Sequence, residues 1–301
     1  MSQKMLYILN PRESISPFDV TMAADAGFEH IVPFSNVEAD NVKALVQDAI
    51  FARPPNRFND TGIFIGGRDV HLAADMFQNA KKAMVGPFQV GVFVDPNGAY
   101  TTSASILALV NKALEDRYKC NLKNLTVAVF GAGPVGLCAS ILAAKEGATT
   151  RLCMLTADDD VFVARRFFNR YQVSVDLVSA LTDKEKEDVL QNADVVICAA
   201  RAGVRILEQK NLDSAGEIKV VADTNAVPPS GVIGVGMQYL NTPVDYAGGT
   251  FSAIGALAIG NIKSQIEIGL FKQIQTSEKA KFIDFPEAYE CALSLVNSLS
   301  S

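Results

Sequence analysis

The chain has 301 residues, of which 49% are hydrophobic and 20% charged, and its formal net charge is -6; this predicts a globular protein of two domains. The acidic balance offers no basic stripe for phosphate backbones, and no stretch approaches the roughly 20 apolar residues that span a bilayer, so nucleic acid and membrane are excluded as partners. Five scattered cysteines and two histidines make no ligand cluster, which predicts a protein without metal in the reducing cytoplasm.

Strand and helix signals alternate through the first hundred residues. A short strand at 5–9 precedes a helix that begins at Pro17 after a Ser16 cap and stops before Gly27. The next predicted elements are a strand at 30–33, a helix at 42–51, a strand at 61–65, a helix at 72–83 and a strand at 89–94.

A helix at 101–114, capped by Thr101 and Thr102, is the predicted connection to the second half of the chain. Beyond it we predict strands at 126–130, 151–155, 174–177, 195–198 and 219–222, and helices at 137–146, 161–171, 183–192, 256–271 and 286–299. This alternation predicts the α/β class: an N-terminal α/β domain plus a Rossmann-type domain with a doubly wound parallel sheet, and a cleft between them.

A glycine-rich turn follows the strand at 126–130 and opens the next helix. It reads Gly131-Ala132-Gly133-Pro134-Val135-Gly136 and matches G-x-G-x-x-G. In this pattern the first glycine permits a tight turn, the second lets backbone N–H groups approach a pyrophosphate, and the third lets the helix pack on the strand. A purely structural turn is the alternative, but the flanking strand and helix favour dinucleotide binding.

The residues after the second strand of this half are acidic. Thr156 and Asp158, the latter in a run of three aspartates, are the candidates for holding the adenosine ribose, and carboxylates there favour NAD over NADP. The same aspartates also suit the start of the next helix. Ala199, Ala200 and Asn225 follow the two later strands, where small or polar residues leave room for cofactor.

The chain resembles the NAD(P)-dependent methylene-tetrahydromethanopterin dehydrogenases of bacterial one-carbon metabolism. The resemblance is carried, along nearly the whole chain, by the blocks SPFDV at 16–20, TGIFIGG at 61–67, GAGPVG at 131–136, ADTNAVPPSG at 222–231 and GALAIGNIK at 255–263. One departure is that NADP-preferring members carry basic residues just after the second strand, where this chain has Thr156 and the aspartates. The resemblance therefore leaves NADP or NAD as cofactor.

This resemblance implies a pterin-binding domain of residues 1–104 and 254–301, and a Rossmann domain of residues 105–253. It implies hydride transfer from methylene-tetrahydromethanopterin to the nicotinamide, giving the methenyl cation, in formaldehyde oxidation. Methylene-tetrahydrofolate is the main rival substrate. The expected partners are a pterin substrate and further copies of the chain in a homo-oligomer.

The resemblance also implies the residues of the active site. Asp19 and Lys263 are the candidates for catalysis and for binding the pterin, with Gly260 as a further candidate for binding it. Asn97 and Thr102 lie where the two predicted domains join, and they are candidates for contacting the pterin or the nicotinamide. A methylene bridge between two nitrogens loses hydride without a base, so the protein's tasks are orientation and electrostatic tuning. The alternatives are an ordinary acid in a first helical turn for Asp19 and a solvated helix lysine for Lys263. The stretch from Asn97 to Thr102 is also compatible with a plain turn and helix cap.

Two other functions remain open from sequence alone. An amino-acid or shikimate-type dehydrogenase shares the two-domain plan but needs a pair of polar residues for a carboxylate substrate. A non-catalytic NAD-sensing module would bind cofactor without turnover. Asp19 and Lys263, in their blocks, fit a pterin enzyme better than an amino-acid or shikimate-type dehydrogenase. An absorbance assay at the band of the reduced nicotinamide separates an enzyme from an NAD-sensing module.

Overall fold

The computed structural model describes residues 3–156 and 161–299. Its strands are β1 (Met5–Leu9), β2 (His30–Phe34), β3 (Thr61–Ile65), β4 (Gly91–Val94), β5 (Thr126–Phe130), β6 (Thr149–Met154), β7 (Asp176–Ser179), β8 (Val195–Cys198), β9 (Val220–Asp223), β10 (Thr242–Tyr246), β11 (Gly249–Ile254) and β12 (Phe282–Ile283). Its helices are α1 (Pro17–Asp25), α2 (Val42–Phe51), α3 (Val70–Ala83), α4 (Ala99–Tyr118), α5 (Pro134–Lys145), α6 (Val161–Arg170), α7 (Asp183–Leu190), α8 (Gln209–Asp213), α9 (Ala256–Thr276) and α10 (Phe285–Ser298). Within these described residues, no helix is both long and apolar enough to cross a membrane.

The chain divides into two compact units, each made from two stretches of sequence. The first is Met1–Thr101 with Ser264–Cys291, and the second is Thr102–Lys263 with Ala292–Ser301. The pterin and dinucleotide domains expected from the sequence, with boundaries after residues 104 and 253, are functional assignments and stay predictions.

The first unit contains a parallel sheet with the strand order β12-β4-β3-β1-β2. The residues just after its strands extend the ladder: Gly66 N–H donates to the Leu9 carbonyl at 3.2 Å, and Asp95 N–H donates to the Ile65 carbonyl at 3.1 Å. The loops that leave β1, β3 and β4 therefore start from one edge of the sheet.

An aromatic cluster forms much of the first unit's core. The Phe271 ring, on α9, lies 5.2 Å from the ring of Phe64 and 5.1 Å from that of Phe93, measured between centroids. Next to it, a Cβ on Gly91 would lie 2.5 Å from the Cβ of Ile274. The strand glycine therefore lets α9 lie close against the sheet.

The second unit contains a sheet with the order β10-β11-β9-β8-β5-β6-β7. All pairs are parallel except β10 with β11. Read from β7 to β11, this is the doubly wound order 3-2-1-4-5-6 of dinucleotide-binding folds, whose order reverses between β5 and β8. The predicted α/β class, with a Rossmann-type sheet in the second unit, is confirmed.

The predicted cap of the connecting helix is wrong. α4 begins at Ala99, and its first turn is held by the buried Asp95 carboxylate, which accepts from the Tyr100 N–H at 2.8 Å and from the Thr101 hydroxyl at 2.5 Å. The left-handed backbone at Asn97 (φ 55°) and the turn around it bring Asp95 back to that helix start. Thr101 and Thr102 lie inside the helix instead.

Candidate functional site

The glycine-rich turn lies where the strand order of the second sheet reverses. Gly131 has a φ of 114°, and its N–H donates to the Cys153 carbonyl on β6 at 3.1 Å. A Cβ on Gly131 would lie 2.7 Å from the Ala199 carbonyl oxygen, just beyond β8. The turn and the end of β8 thus touch, and only a residue without a side chain fits between them.

The other two glycines of the turn have different surroundings. A Cβ on Gly136 would lie 1.9 Å from the Gly131 carbonyl oxygen, so α5 approaches the turn as closely as backbone allows. A Cβ on the exposed Gly133 would meet no atom within 4 Å. Packing accounts for Gly131 and Gly136, whereas the open space at Gly133 suits a ligand that approaches the backbone.

Donors for an anion are present at the start of α5. Pro134 has no N–H, and the Leu137 N–H donates to the Gly133 carbonyl at 3.0 Å. The N–H groups of Val135 and Gly136 lie in the first turn, where helix geometry provides no intrahelical acceptor. Together with the positive end of the helix dipole they fit the diphosphate of a dinucleotide.

The predicted ribose-binding residues follow β6. Thr156 is exposed two residues after the strand ends at Met154. Asp158 lies outside the described residues, as do Ala157, Asp159 and Asp160. The ribose contact therefore stays a prediction.

Ala199 and Ala200, at the end of β8, are half-buried beside the turn. The Ala199 N–H donates to the Phe130 carbonyl at 2.9 Å, which continues the β5–β8 ladder by one residue. Small side chains at a strand end leave room for a cofactor, and contact of these two alanines with a cofactor stays a prediction.

Asn225 braces the loops after β8 and β9. Its side-chain oxygen accepts from the N–H groups of Gly203 and Val227, both at 3.0 Å, and its amide nitrogen donates to the Pro229 carbonyl at 2.7 Å. The residue is 5% exposed. These contacts shape the loop, and a contact to cofactor stays a prediction.

Asp223, which the sequence-based prediction did not include, is the second polar residue at this edge. It ends β9 and is 2% exposed. Burial raises the pKa of its carboxyl, while hydrogen bonds from the backbone N–H groups of Asn225, Val232 and Gly231 lower that pKa. The sequence did contain a signal for this residue, because Asp223 ends an apolar strand. A carboxylate buried at such a position needs hydrogen-bond donors, since burying it without them is energetically costly.

Asp19 and Asn97 belong to the first unit. Asp19 lies in the first turn of α1, where its N–H donates to the Ser16 hydroxyl at 3.3 Å, and it is 7% exposed. This is the first-turn position that the alternative interpretation gives Asp19, and the residue is buried there. Asn97, in the turn after β4, is exposed between the buried Pro96 and Gly98.

Thr102, Gly260 and Lys263 belong to the second unit. Thr102 is half-buried in α4. Gly260 and Lys263 are half-buried on α9, and a spacing of three puts them on the same face of that helix. A Cβ on Gly260 would meet no atom within 4 Å, so there is open space beside Lys263 on this face.

Three comparisons with known proteins bear on this site. Residues 17–97 match the family model described as methylene-tetrahydromethanopterin dehydrogenase, N-terminal. The chain is 39% identical to the NAD(P)-dependent methylenetetrahydromethanopterin dehydrogenase of Methylorubrum extorquens, over 98% of this chain and 99% of that protein. It is 33% identical to the bifunctional protein MdtA of the same organism, over 97% of this chain and 99% of that one.

A solved structure shares the fold at low identity. Shikimate 5-dehydrogenase from Listeria monocytogenes, solved with shikimate and NAD, aligns with a TM-score of 0.52 and 12% identity, over 99% of this chain and 96% of that chain. At this identity the likeness concerns the fold alone.

Proposed function

The chain belongs to the NAD(P)-dependent methylene-tetrahydromethanopterin dehydrogenase family, and from this premise we propose how its residues divide the work of the reaction. The activity is the NAD(P)-dependent oxidation of methylene-tetrahydromethanopterin to the methenyl form. The observation that carries this assignment is 39% identity over 98% of the chain to an enzyme of that name. The metabolic role we propose is formaldehyde oxidation. Assembly into a homo-oligomer and a cytoplasmic location stay predictions.

The second unit provides the dinucleotide site in this proposal. When bound, NAD(P) supplies the nicotinamide carbon that accepts the hydride. The N–H groups of the turn from Gly131 to Gly136 hold the diphosphate, and the open space at Gly133 lets it approach the backbone. Ala199 and Ala200 lie under the cofactor, and Asn225 shapes the neighbouring loop.

We assign the ribose end of the cofactor to Thr156 and Asp158. The sequence from 156 to 160 contains three aspartates and no basic residue, and carboxylates repel a 2′-phosphate while accepting hydrogen bonds from ribose hydroxyls. The proposal is therefore that NAD is used in preference to NADP.

Asp19 and Lys263 are the proposed residues for the pterin. A buried carboxylate such as Asp19 stabilises a developing cation and orients ring N–H donors, because its charge acts in a region of low dielectric. Lys263, with Gly260 on the same face of α9, orients the pterin or tunes the charge around the reacting carbon. Asn97 and Thr102 are proposed as further contacts to the pterin.

Initial rates with methylene-tetrahydromethanopterin and methylene-tetrahydrofolate, each with NAD and NADP, test these assignments. We expect the methanopterin substrate with NAD to give the highest kcat/KM of the four pairs. Equal or better rates with the folate would contradict the substrate assignment, and a preference for NADP would contradict the role of the aspartates. Cofactor binding without turnover on either pterin would instead support an NAD-sensing module.

Replacing Lys263 tests its part in the reaction. We expect Lys263→Ala to lower kcat by about tenfold or more while the affinity for NAD(P) changes little. Lys272→Ala is the matched control, because Lys272 is an exposed lysine on the same helix. Equal kcat values for the two variants would remove Lys263 from the mechanism.

A further inference from the structure

Two loops that leave adjacent strands of the second unit are joined where residues 205–207 meet residues 230–233. The N–H groups of Ile206 and Leu207 donate to the Gly231 carbonyl at 2.8 and 3.0 Å, and Ile233 N–H donates back to the Leu207 carbonyl at 3.0 Å. The Arg205 Nε donates to the Ser230 carbonyl at 2.5 Å. These four hydrogen bonds hold the loop after β8 and the loop after β9 together, so a shift of one loop disturbs the other.

The carboxylate of Asp223 holds the second of these loops at two points, one near its start and one in its middle. Its Oδ1 accepts from the Asn225 N–H at 3.0 Å, and its Oδ2 accepts from the Val232 N–H, also at 3.0 Å. A Cβ on Gly231 would lie 2.9 Å from that Oδ1 and 2.5 Å from the Cys198 sulfur, so the loop packs directly on the carboxylate. With both oxygens occupied and the group 2% exposed, Asp223 acts on the loop and does not reach a ligand.

Asn225 connects the loop that Asp223 holds to the neighbouring loop after β8. Asp223 fixes the Asn225 backbone, and the Asn225 side chain then holds the N–H of Gly203 on the loop after β8. Gly203 has a φ of 76°, a conformation that favours glycine. The chain of contacts thus runs from one buried carboxylate to the loops above two strands.

The position of these loops relates them to one half of the cofactor. In this strand order each half of the sheet receives one mononucleotide, and the ligand crosses at the β5–β8 reversal. In the function proposed above, the glycine-rich turn and the predicted ribose contact serve the adenosine half. The carboxyl ends of β8 and β9 remain for the nicotinamide half.

We propose that Asp223 is a positioning residue for the nicotinamide mononucleotide half of the cofactor, acting through the hydrogen bonds by which it and Asn225 hold the loops after β8 and β9. This rests on the dinucleotide assignment made above. Because the adenosine half is held elsewhere, disturbing Asp223 weakens binding of the whole dinucleotide more than binding of its adenosine part.

The test compares two ligands on two variants. Asp223→Asn keeps the size of the side chain but turns an N–H group toward one of the two backbone donors. Asp194→Asn is the matched control, because Asp194 also accepts a backbone N–H, from Thr126 at 2.9 Å, but lies at the amino ends of the strands. Calorimetry gives the affinity of each variant for two ligands: the preferred dinucleotide, and ADP-ribose, which lacks the nicotinamide.

We expect Asp223→Asn to lower the ratio of dinucleotide to ADP-ribose affinity by about tenfold or more, and Asp194→Asn to leave that ratio unchanged while lowering Tm. Asn225→Ala, which keeps the Asp223 carboxylate, is the second variant and should lower the ratio in the same direction. If Asp223→Asn does not fold, the affinity ratio of Asn225→Ala alone tests the proposal. Unchanged ratios in the variants that fold would overturn the inference. Failure of the unaltered chain to bind either ligand would overturn the dinucleotide assignment as well.

Discussion

Gly131, Gly133 and Gly136 occupy one turn but differ in what surrounds their missing side chains. Neighbouring backbone oxygens would lie 2.7 and 1.9 Å from a Cβ at Gly131 and Gly136, whereas a Cβ at Gly133 would lie in open space. Gly133 also has a φ of -73° and a ψ of 178°, which any residue can adopt. The fold therefore requires two of the glycines, and the proposed diphosphate site would account for the third.

This difference predicts opposite effects for two substitutions. Gly133→Val should weaken NAD(P) binding by about a hundredfold or more, because its branched side chain fills the space of the diphosphate, while Tm stays close to that of the wild type. Gly136→Ala should lower Tm, because its Cβ meets the Gly131 carbonyl oxygen. Calorimetry with cofactor and thermal unfolding without it check both. Normal cofactor affinity in Gly133→Val would show that the diphosphate lies elsewhere.

The thiols offer a second test at this scale. Burial raises the pKa of the Cys153 thiol to about 12, although the nearby Arg151 charge opposes the shift. Burial also raises the pKa of the Cys198 thiol, and the Asp223 charge adds to that effect. Since the thiolate is the reactive form, we expect neither to be alkylated by iodoacetamide at pH 8 in the folded protein. Peptide mapping by mass spectrometry, with urea-unfolded protein as the positive control, checks this. Rapid labelling of Cys198 would contradict its burial at the end of β8.

At the scale of elements, the sequence predicted those whose signal is local. β1, β3, β5, β8 and α2 have the predicted bounds, because each is a short apolar run or a clear helical period between turn residues. β12 was missed, since its two residues form a strand only by pairing with β4 from a distant part of the chain. The β10–β11 hairpin was missed too; β10 is an edge strand with no fully buried residue.

In the candidate site, too, the features with a local sequence signal could be predicted and those that depend on distant contacts could not. The glycine-rich turn and the small residues after β8 could be found because their pattern is contained in a few residues. The role of Asp223 could not, because one of its partners is Val232, nine residues further along a loop without periodicity. The cap of α4 was misplaced for a similar reason: the left-handed Asn97 turns the chain so that Asp95 reaches the helix start.

Removing the α4 cap tests how much this element depends on it. Asp95→Ala removes the carboxylate that accepts from the Tyr100 N–H and the Thr101 hydroxyl in a buried region, and it leaves that hydroxyl its longer bond to the Gly98 carbonyl at 3.4 Å. We therefore expect the free energy of unfolding to fall by about 2–4 kcal/mol. The control is Ser16→Ala, which removes the cap of α1 at an exposed residue and should cost about 1 kcal/mol. Urea denaturation measures both. Equal losses would mean that burial does not increase the cost of losing a cap.

At the scale of the whole molecule, the chain leaves the first unit after Thr101 and returns to it at Ser264. The returning stretch is part of the core, since Phe271 contacts the rings of Phe64 and Phe93 and Ile274 fills the space beside Gly91. The N-terminal stretch of this unit lacks one face of its core when it is alone.

We therefore expect a fragment of residues 1–104 to lack a stable fold. Circular dichroism and hydrogen exchange measure this, with the full chain as reference. In the full chain, Phe271→Ala should reduce the free energy of unfolding by about 3–5 kcal/mol, because it opens a cavity beside the rings of Phe64 and Phe93. A cooperative thermal transition in the isolated fragment would show that residues 264–291 are not needed to complete its core.

The same route of the chain imposes an order on its synthesis. The sheet of the second unit has its last strand by Ile254, whereas the sheet of the first unit receives β12 only at Phe282. A nascent chain thus carries its first four strands, still missing their fifth partner, through the translation of more than half of the protein. The sheet that is begun first is therefore the sheet that is finished last.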